Sequence, residues 1–275
     1  PRLVRGVRIT EDAADEYLAE ALRVAYGDAW WIDIERIVAD IRDPDTGWSE
    51  AERFFFNWNS SGADKAVDAK RWDAELLVPG GPPPAGSRIG VGFDGSISGD
   101  ATVLVGCHDG RSWVIGAWER PIDAPKDWAV PRLAVKAAVR ETFETYDVGL
   151  MFCDPPKWWT EIDEWAEAFG EERVIKVDTN SVAKFCPLVD RWFTGIREGT
   201  HTHSGDDVLR RHVLAVHKRK AKATAADDDG RTMWQLVKGE DGRKIDAAIA
   251  DVLAFSAFEM MPVVVPAGDV VFAWT

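Results

Sequence analysis

Ile89-Gly90-Val91-Gly92-Phe93-Asp94-Gly95 is the stretch on which the fold turns. An apolar run of this length, followed by turn residues, predicts a short buried strand that ends on a carboxylate. Gly90 to Gly95 also matches GxGxxG, the dinucleotide fingerprint, but that motif must follow a hydrophobic strand and open a helix. Here the glycines lie inside the strand and the residues before it are proline-rich, so the dinucleotide reading is set aside. Two further β-like runs, 102–107 and 113–119, follow after Gly95, Gly99, Asp109 and Gly110, which predicts a three-stranded antiparallel meander.

Downstream, apolar spacing at Leu133, Ala137, Val139 and Phe143 predicts a helix over 128–146. A strand over 148–153 is stopped by Asp154-Pro155-Pro156. There follow a helix at 159–169, a strand at 173–177, helices near 181–198 and 206–217, and a hairpin over 218–239 with a strand at 232–237. A last helix spans 245–260. This order predicts an α/β fold whose central sheet mixes antiparallel and parallel pairs and is flanked by helices. Upstream, Tyr17, Leu18, Ala21 and Leu22, and then Ile34, Ile37, Val38 and Ile41, predict two short amphipathic helices. The stretch Pro79-Gly80-Gly81-Pro82-Pro83-Pro84-Ala85-Gly86 cannot continue a helix or a central strand, so the domain boundary is expected there. The expected organisation is a helical segment 1–86, an α/β domain 87–262 and a tail 263–275.

At 46% hydrophobic and 29% charged, the composition is that of a globular protein. The longest apolar runs, such as 260–265, fall far short of the ~20 residues of a membrane span. The chain begins Pro1-Arg2-Leu3, without an initiator Met or a signal-peptide apolar region, so further chain is expected upstream. Cys107, Cys153 and Cys186 are too few and too far apart for a disulfide framework or a CxxC metal site, and a reducing, cytoplasmic setting fits them. A formal charge of −14 excludes a general nucleic-acid coat and confines any DNA contact to a patch. The segment from Arg210 to Lys222, with Arg210, Arg211, Lys218, Arg219, Lys220 and Lys222 and no acid, is the candidate; a solvated helix face is the plainer account. No GK[ST] occurs, so ATP hydrolysis through a P-loop is not expected.

Asp94 and Asp154 each end an apolar strand, and Asp246 opens the last helix. Ionised carboxylates at such places are costly unless paired or bound to a metal, and neighbouring strand ends form the usual ligand crevice of an α/β sheet. Singly, the three read as turn residues and a helix cap; together they favour one shared site. Acids rather than histidines suit Mg²⁺ or Mn²⁺, and two such ions about 4 Å apart can activate water and stabilise the leaving oxygen of a phosphodiester.

The strings Gly92-Phe93-Asp94-Gly95-Ser96 with Asp100 and Thr102, Cys153-Asp154-Pro155-Pro156 with Trp159 to Ile162, and Lys244-Ile245-Asp246-Ala247 resemble the three acidic motifs of the phage terminase large subunit nuclease domain. Asp43-Pro44-Asp45 and the run from Glu50 to Trp58 resemble the segment joining that family's packaging ATPase to its nuclease. The resemblance spans roughly residues 30–260. It implies an RNase H-like fold, metal ligands Asp94, Asp154 and Asp246, two Mg²⁺ or Mn²⁺ ions, and concatemeric double-stranded DNA as substrate. It also implies the terminase small subunit and the portal as partners of the full-length protein, and the host cytoplasm as its setting. The family's ATPase half is not in this chain.

Several relatives carry a second acid in the last motif. Here that acid is Asp251, five residues on, which at about 100° per residue lies about 140° around the helix from Asp246. Asp251 is thus a further candidate ligand or a surface acid, while Asp246 shares its face with Ile249, Ala250, Leu253 and Ala257. Asp100 is either a supporting acid or a turn residue. The fourteen Trp are expected to serve core and interface packing, His212 and His217 to lie on the basic helix, and Asp227-Asp228-Asp229 to form a solvated hairpin tip. Two competing functions remain at this point. One is a non-catalytic docking module of the packaging motor. The other is an actin-like phosphotransferase, suggested by Asp94-Gly95-Ser96 near Thr102, for which the chain is too short to hold both halves.

Overall fold

The computed structural model describes residues 9, 13–43, 51, 54–56, 65–97, 100–121, 123–221, 233–239 and 242–262. The chain divides into two compact units, Pro1–Lys65 and Ala66–Thr275. In the first, α1 (Asp15–Tyr26) and α2 (Ile34–Arg42) are the two expected amphipathic helices. They bury Leu18, Leu22, Val38 and Ile41 against Phe56 and Ile9. Asp33 caps α2 by accepting from the Arg36 N–H at 3.0 Å.

The second unit begins before the proline-rich stretch, not after it. Val67, Trp72 and Leu76 belong to its core, and Trp72 sits in a short π-helical turn, Arg71–Glu75. The prolines continue this packing as a strap: Arg111 Nη2 donates to Gly81 O at 2.7 Å and the Gly86 N–H donates to Thr145 O at 2.7 Å. Pro and Gly mark irregular backbone, and irregular backbone is not always a linker.

A six-stranded mixed sheet forms the centre of this unit. β1 (Arg88–Asp94), β2 (Thr102–His108) and β3 (Arg111–Trp118) are the expected antiparallel meander. β4 (Asp147–Cys153) runs parallel to β1 and β5 (Val174–Lys176) parallel to β4. A two-residue strand, β6 (Thr202–His203), adds in parallel to β3, giving the order β5-β4-β1-β2-β3-β6.

Side chains alternate across a strand, and β1 shows what each face needs. Ile89, Val91 and Phe93 point to the side covered by α3 (Arg132–Thr145) and α4 (Trp159–Phe169), where they pack with Val135, Val139, Ile162 and Trp165. Gly90 and Gly92 point to the other side, which carries α5 (Val182–Glu198), α6 (Asp207–Val213) and α7 (Asp246–Met260). A Cβ on Gly92 would lie 1.9 Å from Ala250 O, and one on Gly90 would lie 2.2 Å from Phe258 N. The glycines that mimic a nucleotide fingerprint are therefore there to let the backbone of α7 rest on the sheet. α7 is buried from Asp246 to Ala257 on every side, as a helix between two layers must be.

The helix expected over 206–217 is shorter. α6 ends at Val213, and β7 (Val216–Lys220) pairs antiparallel with β8 (Trp234–Lys238). The hairpin is thus present, but its first strand takes up the residues read as the end of a basic helix. His217 lies on that strand, and His212 is buried rather than on a solvated face. Asp227 to Asp229, Lys222 and the segment 263–275 lie outside the described residues. Among the described residues no helix is long and apolar enough to cross a membrane.

Candidate metal centre

Asp94 continues the alternation of Gly90 and Gly92, so its side chain leaves the sheet on the α7 side. Phe93 pairs with Cys153, and the Asp154 N–H donates to Phe93 O at 2.9 Å, which puts Asp154 beside Asp94 at the same strand edge. Asp154 also continues the alternation of Leu150 and Phe152, which pack on the α7 side. Asp246 lies one helical turn before Ala250, the residue that rests on Gly92. Two strand residues and one helical turn both advance about 6 Å, so the step from Gly92 to Asp94 matches the step from Ala250 to Asp246. Three carboxylates expected from sequence thereby converge on one edge, held by β1, β4 and α7.

Their electrostatics follow from that placement. Burial, then the charges of Asp246, Asp154 and Asp100, push the Asp94 carboxyl well above the usual range. Burial also raises Asp154, against the Thr179 N–H that donates to its Oδ1 at 3.0 Å. Asp246 is raised by burial and by Asp100, and its buried Oδ2 has no hydrogen-bond partner. Among the described residues no three His, Cys, Asp or Glu side chains are gathered as the ligands of a metal ion are. The donor set nevertheless suits a hard cation: all the donors are oxygens, they repel one another, and one buried oxygen is unpaired.

The loop after Asp94 is braced. Trp158 Nε1 donates to Ser96 O at 3.1 Å, and the Ser96 N–H donates to Thr102 Oγ1 at 3.0 Å. Trp158 in turn meets Phe93 edge-on at 5.2 Å and lies under the Arg132 guanidinium at 4.4 Å. This tryptophan is core, as expected, and it fixes the loop that carries the site. Asp100 forms an ion pair with Lys238 of β8, a lysine that no sequence motif marks.

Asp251 does not join the other three. It is neither a surface acid nor at the strand edge, but fully buried on the far side of α7. Trp192 Nε1 donates to its Oδ2 at 2.8 Å, and His201 Nε2 lies 3.2 Å from its Oδ1 and 3.4 Å from Ser112 Oγ. Burial alone would raise its carboxyl, yet these donors hold it below the usual range.

The basic segment divides in the same way. Arg210 is bound by Asp73 through two 2.6 Å contacts, and Arg211 by Asp207 at 2.8 Å and Glu119 at 2.9 Å. Neighbouring acids, two of them distant in sequence, have taken both arginines. Lys218, Arg219 and Lys220 instead line exposed β7, with Lys218 over the Trp234 ring at 4.8 Å and Arg219 Nη2 donating to Gln235 Oε1 at 3.3 Å. His212 faces inward: the Ala247 N–H donates to its Nδ1 at 2.9 Å, its Nε2 lies 3.2 Å from Glu119 Oε1, and burial holds its pKa below the usual value. The plainer reading of Asp246 as a helix cap does not hold, because Ile245 occupies the cap position of α7 and offers no side-chain acceptor.

No protein-family model matches the chain. It is 30% identical over 265 residues to the Gene 13 protein of Mycobacterium phage D29, a match covering 88% of this chain and 43% of the relative. It is 31% identical over 265 residues to the Gene 13 protein of Mycobacterium phage L5, again over 88% of this chain and 43% of that one. The chain thus spans less than half the length of these curated relatives. Among solved structures it is similar to the large terminase of bacteriophage HK97, with a TM-score of 0.55 at 16% identity, over 90% of this chain and 55% of the other. In fold, the chain resembles that phage large terminase, with an RNase H-like α/β architecture.

Proposed function

We propose that the chain is the nuclease part of a DNA-packaging terminase, a two-metal endonuclease that cuts concatemeric double-stranded DNA. The observation that carries this reading is the convergence of Asp94, Asp154 and Asp246 on one strand edge, with a buried oxygen of Asp246 left unpaired. In this reading the three carboxylates hold two Mg²⁺ or Mn²⁺ ions, which when bound supply an activated water and stabilise the leaving 3′ oxygen. β1, β4 and α7 keep the carboxylates in register, and the brace from Trp158 to Ser96 keeps the Asp94 loop from opening. Lys218, Arg219 and Lys220 on β7 guide the phosphate backbone, while Arg210 and Arg211 serve structure through their acidic partners. The helical unit upstream is then part of the junction with the packaging ATPase. The complete protein works with the terminase small subunit and the portal in the host cytoplasm.

Incubation with supercoiled plasmid tests the reading. Nicking in Mn²⁺ or Mg²⁺ that stops in EDTA is expected, whereas a docking module without chemistry leaves the plasmid intact in every lane. A second measurement concerns the path of the DNA. Replacing Lys218, Arg219 and Lys220 together by Ala is expected to weaken binding and to flatten the slope of log affinity against log salt by about 0.9 for each phosphate no longer neutralised. An unchanged slope moves the DNA path off β7.

A further inference from the structure

We propose that His212 is a positioning residue for the carboxylate site: it clamps the first turn of α7 and so aims Asp246 at Asp94. The inference rests on the reading of Asp94, Asp154 and Asp246 as a metal-binding set. The first N–H groups of a helix have no partner within it, and a Ser, Thr, Asp or Asn at the cap normally supplies one. α7 has Ile245 there, with no side-chain acceptor. The acceptor arrives from another helix instead, since the Ala247 N–H donates to Nδ1 of His212 on α6 at 2.9 Å. Because Nδ1 accepts, the ring proton sits on Nε2, which faces Glu119 Oε1 at 3.2 Å.

Glu119 follows the last residue of β3 and is held by Arg211 Nη2 at 2.9 Å and by Lys244 Nζ at 3.7 Å. The imidazole is thus a strut between the end of a central strand and the residue next to Asp246. It is 2% exposed, so the strut is dry and its position fixed by packing.

The choice of a neutral ring has a physical reason. A carboxylate cap would add a further negative charge to a site that already holds three, whereas a neutral imidazole satisfies the same N–H without one. The glycine seat under α7 begins only at Ala250, one turn on, so it does not restrain the turn that carries the acid. Helix ends fray unless they are tied down. Without His212 the helix remains seated, but its first turn loses the tie that sets the backbone beneath Asp246.

The test is the uptake of Mn²⁺ by the metal-free chain, followed through the loss of the free-ion paramagnetic resonance signal at a temperature where every variant is folded. His212→Leu is expected to weaken Mn²⁺ binding roughly 10- to 100-fold, the usual cost of losing a ligand's supporting partner. His212→Asn, which keeps an acceptor near the position of Nδ1, is expected to restore most of that affinity. A folded His212→Leu protein that binds Mn²⁺ as the wild type does overturns the proposal, even if its melting temperature falls, because a purely structural role moves stability alone. Should His212→Leu fail to fold, Glu119→Leu leaves the ring in place and removes its anchor. It is expected to weaken binding on the order of tenfold, and wild-type affinity there also overturns the proposal. Wild-type protein that takes up no Mn²⁺ sinks the metal reading and this proposal with it; normal wild-type uptake with unaltered variants sinks this proposal alone.

Discussion

Asp94→Asn and Asp154→Asn are each expected to reduce Mn²⁺-dependent plasmid nicking by more than the roughly 100-fold upper cost of losing a supporting partner, because each removes a ligand itself. Asn preserves the shape of the side chain but not the charge that a hard divalent ion requires. The fold should not suffer. Asp94 is surrounded by the charges of Asp246, Asp154 and Asp100, all of which oppose its ionisation, so the metal-free Asp94→Asn protein should melt at the wild-type temperature or above it. Asp154→Asn is the stricter case, because its oxygen also accepts the Thr179 N–H at 3.0 Å; the amide oxygen can take over that bond. Full nicking activity in both variants would falsify the assignment. Loss of activity together with an early melt would show that the carboxylates hold the fold and not an ion.

What is legible in the sequence, and what is not, divides along local and distant causes. The ends of β1 and β4 are legible because strand alternation and the stop at Asp154-Pro155-Pro156 are local, and they put two acids at one edge without knowledge of their neighbours. Asp246 follows from the start of a helix. The environment of Asp251 does not. Its angle from Asp246 is fixed by helix geometry, but α7 is buried on all sides, so no angle on it points to water. Trp192, His201 and Ser112, which make a home for its charge, come from three other places in the chain. For the same reason an acid-free run looks like a basic patch: the acids that occupy Arg210 and Arg211 include Asp73 and Glu119, on other parts of the chain. His212 reads as a surface residue because a cap supplied from another helix leaves no mark on the helix it caps.

That distinction between the two acids of α7 has a large consequence. Asp251→Ala should destabilise the protein without touching its chemistry, and Asp246→Asn should do the reverse. Removing the buried carboxylate costs about 1–3 kcal/mol for each donor it leaves desolvated and unpaired. Here those groups are the Trp192 indole and the His201 imidazole, both buried. For a chain of this size the loss of both donors' acceptor corresponds to a fall in melting temperature of roughly 4–24 °C.

Acid unfolding supplies an independent check. The Asp251 carboxyl is held below its usual range, so its contribution is fully present above the unfolded value of about 3.9 and is lost as pH falls through the lower folded value. The stability gap between wild type and Asp251→Ala should therefore be widest above about pH 4 and close in stronger acid. Nicking per folded molecule, measured well below the lowered melting temperature, should stay near the wild-type rate. An Asp251→Ala protein that melts within a degree or so of the wild type, yet no longer cuts, would place Asp251 at the metal and require α7 to turn by about 140° from the orientation that sets Ala250 on Gly92.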